Sequence, residues 1–369
     1  MVKSLDFMKY SIIKTTMKSG VCTKAAPPFL ILSEGVSLML NEIDSYHSLK
    51  KWKDIHILAE IHDTTALNQF HDEVMKAAWK IVITQFEKSF GSPPCSFSWF
   101  ITGSGGRKEQ GLYSDQDHGI VFYDDTKEAK NYFQKLGDEI SKGLEQLGYP
   151  FCDGKIMSSN PMWCKSVEGW KEQLAQWMLD KSWESIRYLQ IFYDSRTLIG
   201  NQMLPIELKK MIFHYHEHDN QLLQRFLDNI QFFKHAVGPL GQLFVQSSGK
   251  YEGCIDLKRT AFLPYVNAIR LLAIKEGIVE TSTISRIDEL SKKEEYRLLL
   301  AEVKENFKKL LSYRLSLFSS AESYEDVHYL SVKNLTKYEK RDIKTILKGG
   351  KKVHQLAQAI IEKGVYHDF

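Results

Sequence analysis

Two short apolar segments separated by a glycine-rich turn constrain the fold of this chain more than any other feature. In residues 96–101 (SFSWFI) apolar and other side chains alternate, and a second apolar segment covers residues 118–123. Alternation with a period of two is typical of a β-strand. The sequence GSGG at residues 103–106 can adopt backbone conformations that are closed to other residues. The segment therefore predicts two strands with a tight turn between them.

Helical patterns flank this segment on both sides. Apolar residues recur at helical spacing from about residue 31 to 89, and the sequence GSPP at residues 91–94 ends the pattern because proline lacks an amide donor. Residues 127–147 return to helical spacing, and residues 155–158 are predicted as a third strand. Further helices are predicted at residues 170–177, 183–192, 222–236, 263–274 and 295–317.

These patterns predict an α+β fold in three parts. A helical N-terminal region covers residues 1–90, a domain with a small mixed β-sheet covers residues 91–200, and a C-terminal helical bundle covers residues 201–369. A chain of 369 residues exceeds one ordinary hydrophobic core, so several domains are expected. Its content of 43% hydrophobic and 26% charged residues is that of a packed globular protein.

Charge and cysteine content narrow the class of function. The 49 Lys and Arg against 46 Asp and Glu leave a net charge of only +3, which argues against a dedicated nucleic-acid binder. The N-terminus lacks a signal-peptide pattern, and the longest apolar run, residues 29–40, is interrupted by Glu34 and too short to span a bilayer. The 5 cysteines form no CxxC pair, which indicates a reducing compartment. We expect a cytoplasmic protein without membrane attachment.

Two aspartates carry the chemistry that the central segment predicts. Asp115 and Asp117 follow Ser104 after 10 intervening residues and stand at the start of the second strand. Residues two apart in a strand project from the same face, so the two carboxylates converge. Like charges repel unless a cation lies between them, and hard oxygen ligands suit Mg²⁺ or Mn²⁺ that also coordinates an NTP. A metal so placed supports attack at the α-phosphate and release of pyrophosphate.

The glycine turn is suited to bind the phosphates of such a nucleotide. Amides of Gly103 and Gly105 exposed in the turn form a site for phosphate oxygens, and Ser104 adds a hydroxyl donor. Arg107 is placed to meet phosphate charge, and its alternative is a salt bridge to Glu109. Alone, each feature is usually an ordinary turn or a capping pair. Together and in this order they predict nucleotidyl transfer.

The segment SFSWFITGSGGRKEQGLYSDQDHGIVF resembles the bacterial nucleotidyltransferases of the DUF294 type. These are related to PII-uridylyltransferase and belong to the DNA polymerase β-like superfamily. Three further segments support the resemblance: GYPFCDGKIMSSNPMWCKSVEGW at residues 148–170, FYDSRTLIGN at 192–201 and IDLKRTAFLPYVNAIRLLAI at 255–274. The resemblance covers nearly the whole chain after about residue 50. It implies a nucleotidyltransferase domain at 91–200 followed by a helical domain of the same family.

The resemblance also implies roles for single residues. Gly103 and Ser104 would contact the triphosphate, and Asp115 and Asp117 would hold the metal. Many superfamily members use a third carboxylate on a later strand as the base for the attacking hydroxyl. This chain offers only Asp153 there.

Lys258, in the sequence DLKR, could reach the nucleotide from the helical domain. The alternative is that Lys258 and Arg259 form a solvated basic pair.

Three functions follow from this reading. The leading one is an enzyme that transfers a nucleoside monophosphate from an NTP to a hydroxyl of a protein or small molecule, in the manner of a signal-transducing uridylyltransferase. The first alternative is a catalytically inactive nucleotide-sensing or protein-interaction module, because the third carboxylate is not evident. The second is transfer to an RNA end, against which the near-neutral charge argues.

Four other groups of residues are interpreted structurally. The HxHxH of His214, His216 and His218 is expected on a solvated helix, where only two of the three share a face. The pairs His62-Asp63 and His71-Asp72 are expected on helix surfaces. Tryptophans near seven-residue spacing predict a core stripe, and a late lysine-rich stretch predicts an exposed helix end. The tryptophans are Trp163, Trp170, Trp177 and Trp183, and the lysines are Lys348, Lys351 and Lys352.

Overall fold

The structure is a computed structural model that describes residues 40, 42–60, 63–231, 234, 236–317 and 325–366. Within these ranges the chain folds into many helices and a small mixed sheet, so the predicted α+β class is confirmed. None of the helices described there combines the length and the apolar character needed to cross a membrane.

Two helices precede the sheet: α1 (Tyr46–Glu60) and α2 (Thr64–Phe90). The carboxylate of Asp63 begins α2 by accepting hydrogen bonds from two amides of its first turn. The helix ends before Gly91, whose φ of 77° is in the region that favours glycine. The predicted helical region is thus confirmed from α1 onward, while the predictions for residues 31–39 and for His62 lie outside the described residues.

The centre of the fold follows the predicted order of strand, turn, strand and helix. Strand β1 (Phe97–Ile101) leads into a single helical turn, α3 (Gly103–Gly106), and strand β2 (His118–Phe122) follows after a loop. Helix α4 (Lys127–Gln146) then packs against α2 and the sheet. The two strands pair antiparallel over their full length, and their side chains are almost completely buried because helices cover the sheet.

The sheet is completed by strands that come later in the chain. Strand β3 (Cys164–Ser166) is followed by helices α5 (Val167–Asp180) and α6 (Trp183–Tyr193) and by strand β4 (Arg196–Gly200). The strand order is β3-β2-β1-β4, with β3 parallel to β2 and β4 antiparallel to β1. The sheet is therefore mixed, as predicted.

The predicted third strand at residues 155–158 is wrong. These residues form a loop that makes one main-chain hydrogen bond to the start of β2, from the amide of His118 to the carbonyl of Ile156 at 3.0 Å. A single bond gives no ladder, and the third strand is β3 instead. Strand β4 was not predicted, because it is an edge strand whose partly buried residues show no alternation.

The remaining chain begins with helices α7 (Met203–His218) and α8 (Asn220–Ile230). A short strand, β5 (Cys254–Asp256), is followed by one π-helical segment (Lys258–Phe262) and by helix α9 (Leu263–Lys275). Helix α9 is buried on nearly all sides, which matches its almost continuous apolar sequence.

Helices α10 (Thr283–Leu290), α11 (Glu294–Leu317) and α12 (Lys337–Tyr366) pack around α9, and strand β6 (Tyr329–Ser331) pairs antiparallel with β5. The part predicted as a helical bundle thus also holds a two-stranded sheet. The prediction that the late lysines end a helix is wrong, because they lie in the middle of α12 with exposed side chains.

One apolar core crosses the predicted boundary at residue 200. Side chains of α5 and α6 pack in the same cluster as those of α7, α8 and α9. Three tryptophans of the predicted stripe are buried in this part of the molecule, whereas Trp183 is 51% exposed at the start of α6. The shared core holds the C-terminal helices against the domain that carries the glycine turn.

Candidate active site

The glycine turn is fixed by its backbone to the segment that carries the aspartates, which ends just before β2 rather than forming its start as predicted. The amide of Thr102 donates to the carbonyl of Asp117 at 2.9 Å. Gly103 has a φ of 55°, a conformation that favours glycine. A Cβ on Gly106 would lie 2.0 Å from the carbonyl oxygen of Asp194. The turn therefore requires glycine at both positions, at Gly103 because of its positive φ and at Gly106 because the backbone of Asp194 lies so close.

The middle of the turn is anchored from β4 and α2. The carbonyl of Ser104 accepts from the amide of Glu109 at 2.8 Å, and the carbonyl of Gly105 accepts from Arg196 Nε at 3.1 Å. Arg196 also pairs with the carboxylate of Asp72 at 2.6 Å. The carbonyls of the turn are thus held by protein partners on one side, and Ser104 remains half-buried.

Asp115 and Asp117 converge in front of this turn. Gln116 between them points the other way, since its Nε2 donates to two main-chain carbonyls at 2.9 Å each and its side chain is buried. A Cβ on Gly103 would lie 2.2 Å from Asp117 Oδ2, so this carboxylate rests directly against the turn. The two carboxylates therefore lie close to each other, and that of Asp117 faces the turn.

Burial raises the pKa of both carboxyl groups. The pKa of Asp117 rises to about 7, mainly because the group is buried and also because Asp115 adds a second negative charge. The pKa of Asp115 is raised as well, chiefly by burial. The carboxylates are poorly solvated and lie within 4.8 Å of each other. This arrangement favours a positive charge between them, either a bound proton or a metal ion.

A thiol completes the group. Among the described residues, the His, Cys and acidic side chains close enough together to share a metal ion are Asp115, Asp117 and Cys152, whose ligand atoms all lie within 4.8 Å of one another. Burial and the charge of Asp117 raise the pKa of the Cys152 thiol to about 12, and the thiol donates a hydrogen bond to Asp117. Cys152 is therefore a neutral neighbour of the carboxylates in the absence of metal.

The sequence analysis selected Asp153 and missed Cys152. Asp153 is exposed and outside the group of three, although its charge contributes to the raised pKa of Asp115. The loop that carries both residues crosses the start of β2, held by hydrogen bonds from the amide of Gln116 to Pro150 and from that of His118 to Ile156. A lone cysteine gives no spacing signal, so the sequence offered only its adjacency to Asp153.

Lys258 approaches the aspartates from the C-terminal part of the chain. Its positive charge lowers the pKa of both Asp115 and Asp117, so it lies within electrostatic range of the pair. Its Nζ is 3.3 Å from Nε2 of His328, and burial together with Lys258 lowers the pKa of that imidazole to about 3. Lys258 is thus a half-buried cation near the aspartates, whereas Arg259, the other member of the solvated-pair alternative, is exposed.

Arg107 lies in a buried ion-pair cluster instead. Its Nε donates to Glu109 at 2.8 Å and its Nη1 donates to Asp194 at 2.7 Å. The prediction that Arg107 meets phosphate charge does not fit this geometry, and the salt bridge named as its alternative is present. Both of these N–H groups donate to carboxylates, which compensates the buried guanidinium for its loss of contact with water.

Asp194 is the centre of that cluster. It is completely buried and also pairs with Arg270 at 2.6 Å and Arg286 at 2.8 Å. Three guanidinium groups hold the pKa of Asp194 far below its usual range, against the effect of burial. Glu109 extends the cluster by accepting from the amide of Thr283 at the start of α10. Arg107, the residue after the turn, is therefore linked to α9 and α10 through the carboxylate of Asp194.

The remaining histidine predictions have mixed outcomes. The HxHxH sequence lies on α7, as expected, and Nδ1 of His218 is 2.8 Å from the carbonyl of His214. The expectation that His71 is on a helix surface is wrong, because it is completely buried. It contacts Tyr149 at 2.8 Å and the carbonyl of Gly111 at 2.9 Å, so it holds the loop before the aspartates.

Comparison with known proteins gives two matches along the chain. Residues 56–184, which contain the turn and the aspartates, match the family described as Putative nucleotidyltransferase DUF294. Residues 220–361, which contain Lys258, match the family described as Putative nucleotidyltransferase substrate binding domain. No curated protein matches the chain. The class that these two parts define is the nucleotidyltransferases. The chain belongs to the DUF294 type, and the region that matches the substrate binding domain family follows the domain that carries the turn.

Proposed function

We propose that this protein transfers a nucleoside monophosphate from an NTP to a hydroxyl group of a protein or small molecule, using Mg²⁺ or Mn²⁺ held by Asp115 and Asp117. The observation that carries the proposal is the convergence of these two carboxylates against Gly103. Carboxylate oxygens are the ligands that both ions prefer, and poorly solvated, mutually repelling carboxylates need a cation. A bound ion would neutralise charge on the α-phosphate and on the departing pyrophosphate.

The residues of the turn would bind the triphosphate. Amides at Gly103 and Gly105 and the hydroxyl of Ser104 are donors, and the turn lies beside Asp117. Lys258 would add positive charge from the substrate-binding domain, where it lies within electrostatic range of the aspartates. Donors on two parts of the chain would hold the nucleotide between them, which orients its α-phosphate for in-line attack.

Asp153 is the group proposed to accept the proton of the acceptor hydroxyl. It is exposed, and its charge acts on Asp115, so an acceptor can reach it beside the pair. The hydroxyl oxygen would form the new bond to the α-phosphorus as the bond to pyrophosphate breaks. Resemblance to PII-uridylyltransferase supports a protein acceptor in cytoplasmic signalling. The net charge of +3 gives no support to transfer to an RNA end. RNA binding measured at several salt concentrations tests this, because binding through phosphate contacts weakens steeply as salt rises.

The first test removes both carboxylates while keeping side-chain volume. The double variant Asp115→Asn with Asp117→Asn should lower affinity for Mg²⁺-NTP by about 100-fold or more and abolish pyrophosphate release, because no charged metal ligand remains. Titration calorimetry with each of the four common NTPs, with and without Mg²⁺, measures the binding. A coupled pyrophosphate assay measures turnover with added cell extract as the source of acceptor.

A matched control makes the same charge change at the other end of the same strand. Asp124 and Asp125 are exposed just after β2, so the variant Asp124→Asn with Asp125→Asn should bind Mg²⁺-NTP like the wild type. Equal binding by the wild type and the Asp115/Asp117 variant would rule out this site.

Metal binding should depend on pH with a defined sign. Because the pKa of Asp117 is raised to about 7, a proton competes with the ion below that pH. The dissociation constant for Mn²⁺ should therefore fall about tenfold per pH unit as pH rises toward 7, and level off above it. Mn²⁺ titration followed by electron paramagnetic resonance at several pH values measures this. In Asp117→Asn the slope should be lost, and a wild-type affinity that is flat with pH would contradict the assignment.

A nucleotide-sensing or protein-interaction module without turnover is the second candidate, and one observation favours it. The third member of the ligand group is the thiol of Cys152, and Asp153 lies outside the group. Incubation of the protein with radiolabelled NTP and cell extract separates the two functions. Label on a macromolecule or small molecule, or released pyrophosphate, supports the enzyme, whereas tight Mg²⁺-NTP binding with neither product supports the sensor.

A further inference from the structure

The sulfur of Cys152 lies where a third ligand of a metal ion at the aspartates would stand. We propose that Asp115, Asp117 and Cys152 form a tetrahedral site for a thiophilic divalent ion such as Zn²⁺, and that this ion excludes Mg²⁺-NTP from the same carboxylates. The inference rests on the proposed function only in using the same two aspartates. It concerns a second kind of ion and a regulatory state rather than the transfer reaction.

The geometry of the three ligand atoms fits one ion. They all lie within 4.8 Å of one another, and bonds of about 2.3 Å to sulfur and about 2.0 Å to oxygen place the ligand atoms of a tetrahedral ion roughly 3.5 Å apart. The loop that carries Cys152 is held on both sides by the main-chain bonds of Pro150 and Ile156 to the β2 segment. A small side-chain adjustment therefore closes the site without moving the backbone.

A second observation points to a ligand at this centre. The side chain of Gln110 is 3% exposed, and its Oε1 has no hydrogen-bond partner among the described residues. Gln110 lines a cavity of about 10 Å³, which is room for one water, together with both aspartates, Gln116 and His118, whereas Cys152 is not among its lining residues. A water bound to the ion there would donate to Oε1 and supply a fourth ligand. An unpartnered buried acceptor of this kind is otherwise costly.

Ligand chemistry decides which ion the group prefers. Mg²⁺ requires six oxygen ligands and keeps several waters, so the sulfur adds nothing to its binding. Zn²⁺ and Co²⁺ accept thiolate together with carboxylate in tetrahedral sites. On binding, the thiol releases its proton to solvent, and the ion replaces the hydrogen bond between Cys152 and Asp117. With both carboxylates and the thiolate engaged, the Mg²⁺-NTP complex loses its ligands.

Cobalt provides a direct readout of sulfur ligation that does not depend on activity. Titration of the full-length, metal-free protein with Co²⁺ should produce a near-ultraviolet thiolate-to-cobalt charge-transfer band and the visible bands of a tetrahedral ion. Zn²⁺ should abolish these bands at one equivalent. Cys152→Ser should lose the charge-transfer band and bind Zn²⁺ at least about tenfold more weakly, because a thiolate ligand is gone.

The controls separate the thiol from other effects. Cys95→Ser removes a partly buried thiol of the same domain and should leave the bands unchanged. Cys152→Ala tests the same loss with no hydroxyl, and circular dichroism of each variant verifies folding. Zn²⁺ should also displace Mg²⁺-NTP from the wild type in competition calorimetry, and much less from Cys152→Ser.

Each outcome decides the proposal. Bands that vanish in both Cys152 variants and in Asp115→Asn with Asp117→Asn support the site. Co²⁺ binding without a charge-transfer band, or a band that persists without Cys152, overturns it, while intact binding of Mg²⁺-NTP to the wild type leaves the proposed function standing. Absence of both Co²⁺ and Mg²⁺-NTP binding by the folded wild type overturns the thiol site and the proposed function together.

Discussion

Replacing Asp194 by asparagine should lower the free energy of unfolding by about 3–5 kcal/mol, the cost typical of breaking a buried ion pair. The substitution removes the charge that three arginines face, and the side chain of Asp194 has no access to water. Only Glu109 would then remain among the carboxylates of the cluster. Urea denaturation followed by circular dichroism gives the midpoint and slope from which the difference is obtained.

An exposed ion pair provides the control for this prediction. Asp54→Asn removes an aspartate whose partner is Lys50, and both side chains are about half exposed. Exposed pairs contribute little, so this variant should change the free energy of unfolding by less than about 0.5 kcal/mol. If the Asp194 and Asp54 variants unfolded at the same urea concentration, the buried cluster would not contribute to stability as argued.

Gly103→Ala should weaken Mg²⁺-NTP binding by about 10- to 100-fold while the protein remains folded. The added Cβ would lie 2.2 Å from Asp117 Oδ2, so the carboxylate must rotate away from the turn. Displacing a ligand by about 1 Å is enough for an effect of this size. The φ of 55° adds a backbone cost of about 1–2 kcal/mol. Calorimetric titration with Mg²⁺-NTP measures the loss.

Gly277→Ala separates the effect on the carboxylate from the effect on the backbone. Gly277 has a φ of 65°, and a Cβ there meets nothing within 4 Å. This variant should lose a similar amount of stability and keep its affinity for Mg²⁺-NTP. Equal losses of affinity in the two variants would show that backbone strain, and not the position of Asp117, governs binding.

The parts of the fold that the sequence predicted are those encoded locally. Strands β1 and β2 are short, mainly apolar segments, and helix α2 has an N-cap at Asp63 and a glycine at its end, so neighbouring residues suffice to place them. Strands β3 and β4 were misplaced or missed. The first has only three residues, and the second exists because of its pairing with β1, about 100 residues earlier. No local pattern contains that information.

The residues of the candidate site also fall into two groups, those that local sequence identifies and those that long-range contacts bring in. Asp115 and Asp117 were selected from the sequence because residues two apart in an extended segment project to the same side, although both precede β2 in the structure. Cys152 comes to the aspartates through a loop that crosses β2, and Asp194 meets arginines that are 76 to 92 residues away in the chain. Contacts of this range depend on how the helices pack. The turn's arginine was misinterpreted for this reason, since its partner Asp194 belongs to the end of α6.

The cluster around Asp194 also limits how such chains can be recombined. Arg107 and the aspartate come from the part of the chain before β4, whereas Arg270 and Arg286 come from α9 and α10. Any junction between these positions separates cations from the anion that neutralises them. A hybrid chain that takes one half from a relative inherits a buried charge imbalance unless the relative carries the same set. The partner sequence for such a hybrid should therefore be chosen by these four positions first.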